Sequence, residues 1–174
     1  DMGRVVAFEP SPRERRRLRW NLAINRCHNV QVEPSAVGDY NGQTDFFVVL
    51  GQETGFNSMR PPAVKDPVSR LTVPVLTLDN YLSQSRIRAV DLIKLDAEGA
   101  ELAVLKGAPK LLTTQPRPVL MCELVDKRTE PWNYKAQEIY AFLTGAGYSW
   151  FSVAQGGYLC PAPKKDHYHE NLVA

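Results

Sequence analysis

No stretch of the 174-residue sequence approaches the ~20 consecutive apolar residues of a membrane-spanning helix. Charge of one sign is scarce as well. The 21 Lys and Arg against 19 Asp and Glu leave a formal net charge of +2, too weak a field to imply a nucleic-acid or membrane partner. Cysteine is sparse: Cys27, Cys122 and Cys160 are an odd set with no short-range metal spacing, and His28, His167 and His169 do not complete one. Reduced, largely buried thiols in a reducing compartment follow, and with them a cytoplasmic location. His167 and His169 lie near a tail and read as surface residues. There is no internal repeat or low-complexity segment. No secretory signal is visible, and the abrupt start at Asp1 leaves room for a removed leader. What is present is an ordinary globular composition, 44% apolar and 23% charged, at a length that suits one domain with a real core.

The stretch "GRVVAFEPSPRE" opens the chain's pattern. Val5, Val6, Ala7 and Phe8 form a continuous apolar run, as suits a strand covered on both faces in a parallel sheet. Pro10 stops the strand. Ser11, Pro12 and Glu14 then match a helix start: a Ser N-cap, Pro at the first helical position and Glu three residues after the cap. "PRERRRLRWNLAINR" continues as a helix whose apolar stripe, Leu18 and Leu22 with Trp20, Ala23 and Ile24 wrapping round, is broad. Its five arginines within 13–19 have no aromatic interleaving, so a solvated face is favoured over a phosphate-binding patch.

The alternation of strand and helix patterns continues. "NVQVEPSAVGD" reads as a short strand and turn, and "GQTDFFVVL" with "SRLTVPVLTL" as an antiparallel excursion around residues 42–78. "TLDNYL" opens a short helix or turn. Residues 90–95 form a strand, 96–99 a turn, and 101–106 a helix whose acidic first turn suits the helix dipole. "RPVLMCELV" is another buried strand. "NYKAQEIYAFLTGAGY" is a helix with Ile139, Phe142, Leu143 and Ala146 on one stripe, stopped by Gly145 and Gly147. "SWFSVA" and "GGYLCPAP" end the pattern as two short strands, a candidate hairpin. The expected fold class is α/β, a mostly parallel sheet with an antiparallel edge.

Glu9, Asp96 and Glu123 each follow an apolar strand. In parallel strands, all three would lie on one edge of the sheet, where ligands bind in open α/β folds. Each could instead cap the following helix or pair with a neighbouring base. Glu9 has a specific candidate task, since a carboxylate after the second strand of a Rossmann-like unit accepts both hydroxyls of an adenosine ribose. Lys94 interrupts a strand that reads as buried and shares a face with Asp96. A buried lysine requires a partner. It either pairs with Asp96, Glu98 or Glu123, or positions those acids or a substrate oxygen.

Taken together, "GRVVAFEPSP", "NVQVEPSAVGD", "VPVLTLDNYL", "VDLIKLDAEGAELAVLKGA" and "PVLMCEL" resemble the FkbM family of S-adenosylmethionine-dependent methyltransferases, in the family's order and over nearly all of residues 3–124. "IKLDAEGAELAVLKGA" is the most specific piece. Asn57-Ser58 and the late "HENL" around Asn171 are weaker echoes. The resemblance implies a Rossmann-like methyltransferase fold of seven strands with the last pair antiparallel. It also implies methyl transfer to a hydroxyl of a small molecule or sugar. By matching positions, Glu9 would bind the cofactor ribose, and Ser35, Ala36 and Val37 would lie against adenine. Asp96 and Glu98 would face the methyl group and acceptor. Lys94 and Glu123 match positions of less defined role. The family's glycine-rich "DVGANxG" loop, which holds the methionine part of the cofactor, would precede Asp1, as would the first, central strand. A fragment of a longer protein is the favoured account of that departure.

Methyl transfer needs an aligned acceptor oxygen and a place for its proton. Asp96 is the first candidate for positioning or general base, and Glu98 the second. A metal is not assigned: Asp96, Glu98 and Glu123 could hold a divalent ion, but their spacing is not diagnostic. Two readings of other classes compete. One is a degenerate methyltransferase-like domain acting as an interaction module without cofactor. The other is a nicotinamide-dependent oxidoreductase, disfavoured because no G-x-G-x-x-G occurs.

Overall fold

The computed structural model describes residues 3–51 and 53–174. β1 (Val5–Phe8) leads into α1 (Pro12–Ile24), then β2 (Val30–Glu33), β3 (Ala36–Val37), β4 (Gly42–Val49) and β5 (Val68–Leu76). After α2 (Leu78–Gln84) come β6 (Leu92–Leu95), α3 (Glu101–Lys106), α4 (Pro109–Thr113) and β7 (Val119–Val125). α5 (Asp126–Thr129), α6 (Gln137–Gly145), β8 (Phe151–Val153), β9 (Leu159–Pro161) and β10 (His169–Val173) complete the chain.

The strands fall into three sheets rather than one. β1 pairs β2 in parallel, β3-β5-β4 form a small mixed sheet, and β6-β7-β10-β8-β9 form the largest. Among the described residues, parallel pairing is limited to β1/β2, β3/β5 and β6/β7, so the expectation of a mostly parallel sheet is corrected. The cause is twofold. β1 and β6 each have a partner on one side only, so the β1/β2 pair stays separate. And β10, a strand the sequence reading did not assign, enters antiparallel between β7 and β8. The apolar residues at the open edges are exposed accordingly, Val5 by 48% and Leu92 by 61%.

The core lies on the largest sheet. Leu120 and Leu124 of β7 and Leu172 of β10 are fully buried with Leu105 of α3, Leu112 of α4, and Ile139 and Leu143 of α6. Ile139 and Leu143 are four apart on one helix face, as the stripe predicts. Each such side chain contributes roughly 1.5–3 kcal/mol of burial. Trp150 stacks on Tyr140 at 5.1 Å and donates its Nε1–H to the Tyr140 carbonyl at 3.1 Å.

α1 behaves differently. It buries no residue, and Trp20 is 69% exposed. The broad stripe therefore has no inner face to cover. The helix is held at its start, where Ser11 Oγ accepts the Glu14 amide at 3.4 Å and Glu9 Oε1 accepts the Ser11 amide at 2.8 Å. Glu9 thus takes the amide that a capping-box Glu14 would take. Glu14 instead pairs with Arg17 at 3.1 Å, and Arg15 bonds the Glu9 carbonyl at 2.8 Å. The thiol expectation is also corrected: all three cysteines are free, but Cys122 alone is buried and Cys160 is exposed.

The small sheet is fixed to α3 at one close approach. A Cβ on Gly107 would stand 2.0 Å from the Gly38 carbonyl oxygen, so only glycine fits. Among the described residues, no helix is long and apolar enough to cross a membrane.

Candidate functional site

The β6/β7 register pairs Leu95 with Cys122, so Asp96, just past β6, stands beside Glu123. The expectation that Glu123 follows its strand is corrected: β7 continues to Val125 because β10 pairs with it there, Asn171 opposite Glu123. The chain then turns sharply. Glu98 has φ 51° and Gly99 φ 94°, a left-handed pair that is uncommon for a glutamate and natural for a glycine. Glu101, 1% exposed, holds this turn from inside: its Oε1 accepts the Ala97 amide at 2.7 Å and the Gly99 amide at 3.2 Å. Tyr134 Oη donates to the Gly99 carbonyl at 2.7 Å. Glu101 reads from sequence as a residue complementing the helix dipole. Its burial makes it the turn's hydrogen-bond anchor instead.

This turn brings three carboxylates together. Asp96, Glu98 and Glu123 each place an oxygen within 4.8 Å of the others. Such a group is tolerated only with nearby cations or bound protons. Lys94 Nζ lies 3.2 Å from Asp96 Oδ2 and donates to Asn171 Oδ1 at 2.8 Å. Arg128 Nε lies 3.0 Å from Glu98 Oε2, but without the alignment of a hydrogen bond, so this contact is chiefly Coulombic. Glu123 keeps a buried Oε2 with no hydrogen-bond partner.

Burial is the largest influence on the titration of Glu98, Glu123 and Glu101. It pushes Glu98 from its ordinary 4.5 up to about 7, against the opposing Arg128, with further upward pushes from Glu123, Asp96 and Glu101. Glu123 is raised by burial and by Asp96, partly offset by Arg128, Lys94 and His169. Glu101 is raised by burial, with its amide hydrogen bonds opposing.

The excursion reaches the same turn. Ser58 Oγ donates to the Glu98 carbonyl at 3.0 Å, and Asn57 Oδ1 accepts the Val49 amide at 2.8 Å. The Arg128 guanidinium stands 4.0 Å from the Phe56 ring centroid. Glu9 follows β1 of the separate β1/β2 pair and is not one of the three converging carboxylates. Burial raises its pKa, with the Ser11 amide opposing.

A family model described as the methyltransferase FkbM domain matches residues 1–150. This chain belongs to the FkbM methyltransferase family. The 2-O-methyltransferase NoeI of Sinorhizobium fredii (strain NBRC 101917 / NGR234) is 28% identical over 122 residues, covering 63% of this chain and 49% of that protein. Methyltransferase 1 of Beauveria bassiana (strain ARSEF 2860) is 27% identical over 119 residues, covering 59% of this chain and 48% of that protein. The chain thus spans about half the length of these curated relatives. A crystal structure of methyltransferase FkbM from Methylobacillus flagellatus KT shares the fold, with a TM-score of 0.58 at 17% identity over 98% of this chain and 36% of that one.

Within this FkbM domain, the sequence candidates are brought together only in part. Asp96, Glu98, Glu123 and Lys94 meet, and the echoes at Ser58 and Asn171 touch them. Glu9 is not among them. Ser35 and Ala36 are buried in and beside β3, and Val37 retains partial exposure. Lys94 is corrected in one respect: it is exposed, because β6 is an open edge, and its pairing with Asp96 is a surface contact. Arg128, Tyr134 and Glu101 join the site without a sequence signal that marks them, since a basic residue after a strand and a tyrosine before a helix are common.

Glu98 has a testable consequence. Between about pH 4.5 and 7 its folded form keeps a proton that the unfolded chain has released. Its contribution to stability is therefore full below pH 4.5 and lost as pH rises to 7. Glu98→Gln is expected to flatten that part of the decline. Urea midpoints at half-unit pH steps check this; parallel profiles for the two proteins would contradict it.

Proposed function

We propose that this FkbM domain takes part in methyl transfer from S-adenosylmethionine to a hydroxyl of a small molecule or sugar. The observation carrying this reading is the convergence of Asp96 and Glu98, after β6, with Glu123 of β7. NoeI, by name a 2-O-methyltransferase, supports oxygen as the accepting atom. The residues present fit the donor. Glu123 offers a buried, unpartnered oxygen that suits a positive charge, and Glu9 Oε2 has no hydrogen-bond partner among the described residues. When bound, the donor supplies an electrophilic methyl group on a positively charged sulfur.

The chain's own residues would divide the remaining work. Glu9 would accept the ribose hydroxyls. Val37 offers adenine an accessible side chain, and Ser35 and Ala36 would serve as the wall behind it. Asp96, steadied by Lys94, would orient the acceptor hydroxyl. Glu98, titrating at about 7, has the proton affinity a general base needs at neutral pH. Residues 42–78 would form the element that selects the acceptor, a reading supported by Ser58 and Phe56 at the Glu98 turn. A cytoplasmic location accompanies this reading, supported by three free thiols.

Glu9→Gln in the longest natural form of the protein is expected to weaken donor affinity at least tenfold in isothermal titration, since a charge-assisted acceptor becomes a neutral amide. Unchanged affinity would remove Glu9 from the ribose site.

A further inference from the structure

The excursion and α5 enclose a small cleft beside Glu98. Arg60, Lys127 and Arg128 line it together with Glu98, with Phe56 and Val64 among its apolar walls; Arg60 and Lys127 reach it from the exposed rim. Its volume is about 40 Å³. That exceeds the ~10–15 Å³ a cavity needs to admit one water, so a small polar head group can enter.

The charge balance of this cleft is uneven. Glu98 and Arg128 offset each other at 3.0 Å. Among the described residues, Arg60 and Lys127 have no ion-pair partner, although they come from separate parts of the chain and line the same cleft. The Arg60 guanidinium rests 5.3 Å from the Trp132 ring centroid, which fixes it at the cleft margin. Two unpaired cations beside apolar walls repel each other less when an anion lies between them. A chain of net charge +2 has no general excess to account for the pairing.

We infer that this cleft is an oxyanion subsite, and that the acceptor carries a phosphate or carboxylate near the hydroxyl to be methylated. Its link to an acceptor rests on the methyl-transfer reading; the anion site itself does not. Arg60 and Lys127 bind the anion, and the acidic group centred on Asp96 takes the adjacent hydroxyl. The cationic cleft next to a carboxylate cluster gives an acceptor with both groups one orientation.

The test uses the longest natural form of the protein, at constant ionic strength set with KCl. Inorganic phosphate and acetate are titrated separately while backbone amide and arginine Nε–H signals are followed by NMR. Saturable shifts at millimolar concentration are expected around Arg60, Lys127, Arg128 and Phe56 with at least one of the anions. Arg60→Gln and Lys127→Gln should each weaken that binding at least fivefold. Saturation by phosphate alone assigns a phosphoryl group, and by acetate alone a carboxylate. Shifts that KCl reproduces, or affinities within twofold of wild type in both variants, would overturn the subsite. Donor titration of the same samples separates the two readings: a lost donor response with anion binding intact removes methyl transfer and leaves the subsite standing.

Discussion

Asp96→Asn should lower turnover about 10²–10⁴-fold, the range expected for a group that positions or deprotonates the acceptor in the transition state. Donor affinity should stay within about twofold. The substitution is nearly isosteric, and the Asp96 side chain is 46% exposed, so the fold is not at stake. The loss of its contact with Lys94 matters little for stability, because exposed pairs of this kind contribute ~0–1 kcal/mol. Any large effect therefore reports on chemistry. Single-turnover rates with donor pre-bound, beside calorimetric donor affinity, separate the two steps. Wild-type rates in this variant would transfer the role to Glu98, whose carboxyl is pushed up to about 7 by burial, or to Lys94.

Gly99→Ala is expected to destabilise the protein by about 2–4 kcal/mol, combining ~1 kcal/mol for a left-handed alanine with ~1–3 kcal/mol of overpacking. A Cβ at this position would stand 2.1 Å from the Arg128 carbonyl oxygen and 2.6 Å from Trp132 Cδ1. The carbonyl belongs to the backbone of α5 and cannot swing aside as a long side chain could. Relief would require α5 or the turn 96–99 to move, displacing Glu98 and Arg128 together. Against a typical total of 5–15 kcal/mol the loss is large. Gly145→Ala is the matched control: nothing lies within 4 Å of its Cβ position at the last residue of α6. That variant should be neutral or slightly more stable. Urea unfolding of both variants checks the contrast, and a Gly99→Ala cost below 1 kcal/mol would contradict the packing argument.

Local pattern carried the reading of this chain a long way. Ser11, Pro12 and Glu14 mark the start of α1, and the cap forms there. Ile139 and Leu143 recur at helical spacing and are both buried. Asp96 is visible as the residue that ends the apolar run of β6, whereas Glu123, which reads the same way from the sequence, lies within β7, because β10 pairs with that strand through to Val125. The family was legible because its motifs are short and contiguous, and the match covers residues 1–150.

What only the tertiary structure decided depends on partners far apart in the chain. β10 becomes an interior strand because Leu172 finds a buried place against β7, and the polar His169, Glu170 and Asn171 before it do not signal that. Glu101 anchors a turn because α3 is buried there, whereas the same glutamate on an exposed helix would serve only the dipole. Glu98 holds its proton to about pH 7 because burial outweighs Arg128, a balance that no spacing encodes. Periodicity records which face of an element is apolar. Desolvation and pairing are set by what covers that face, and the covering groups come from other segments.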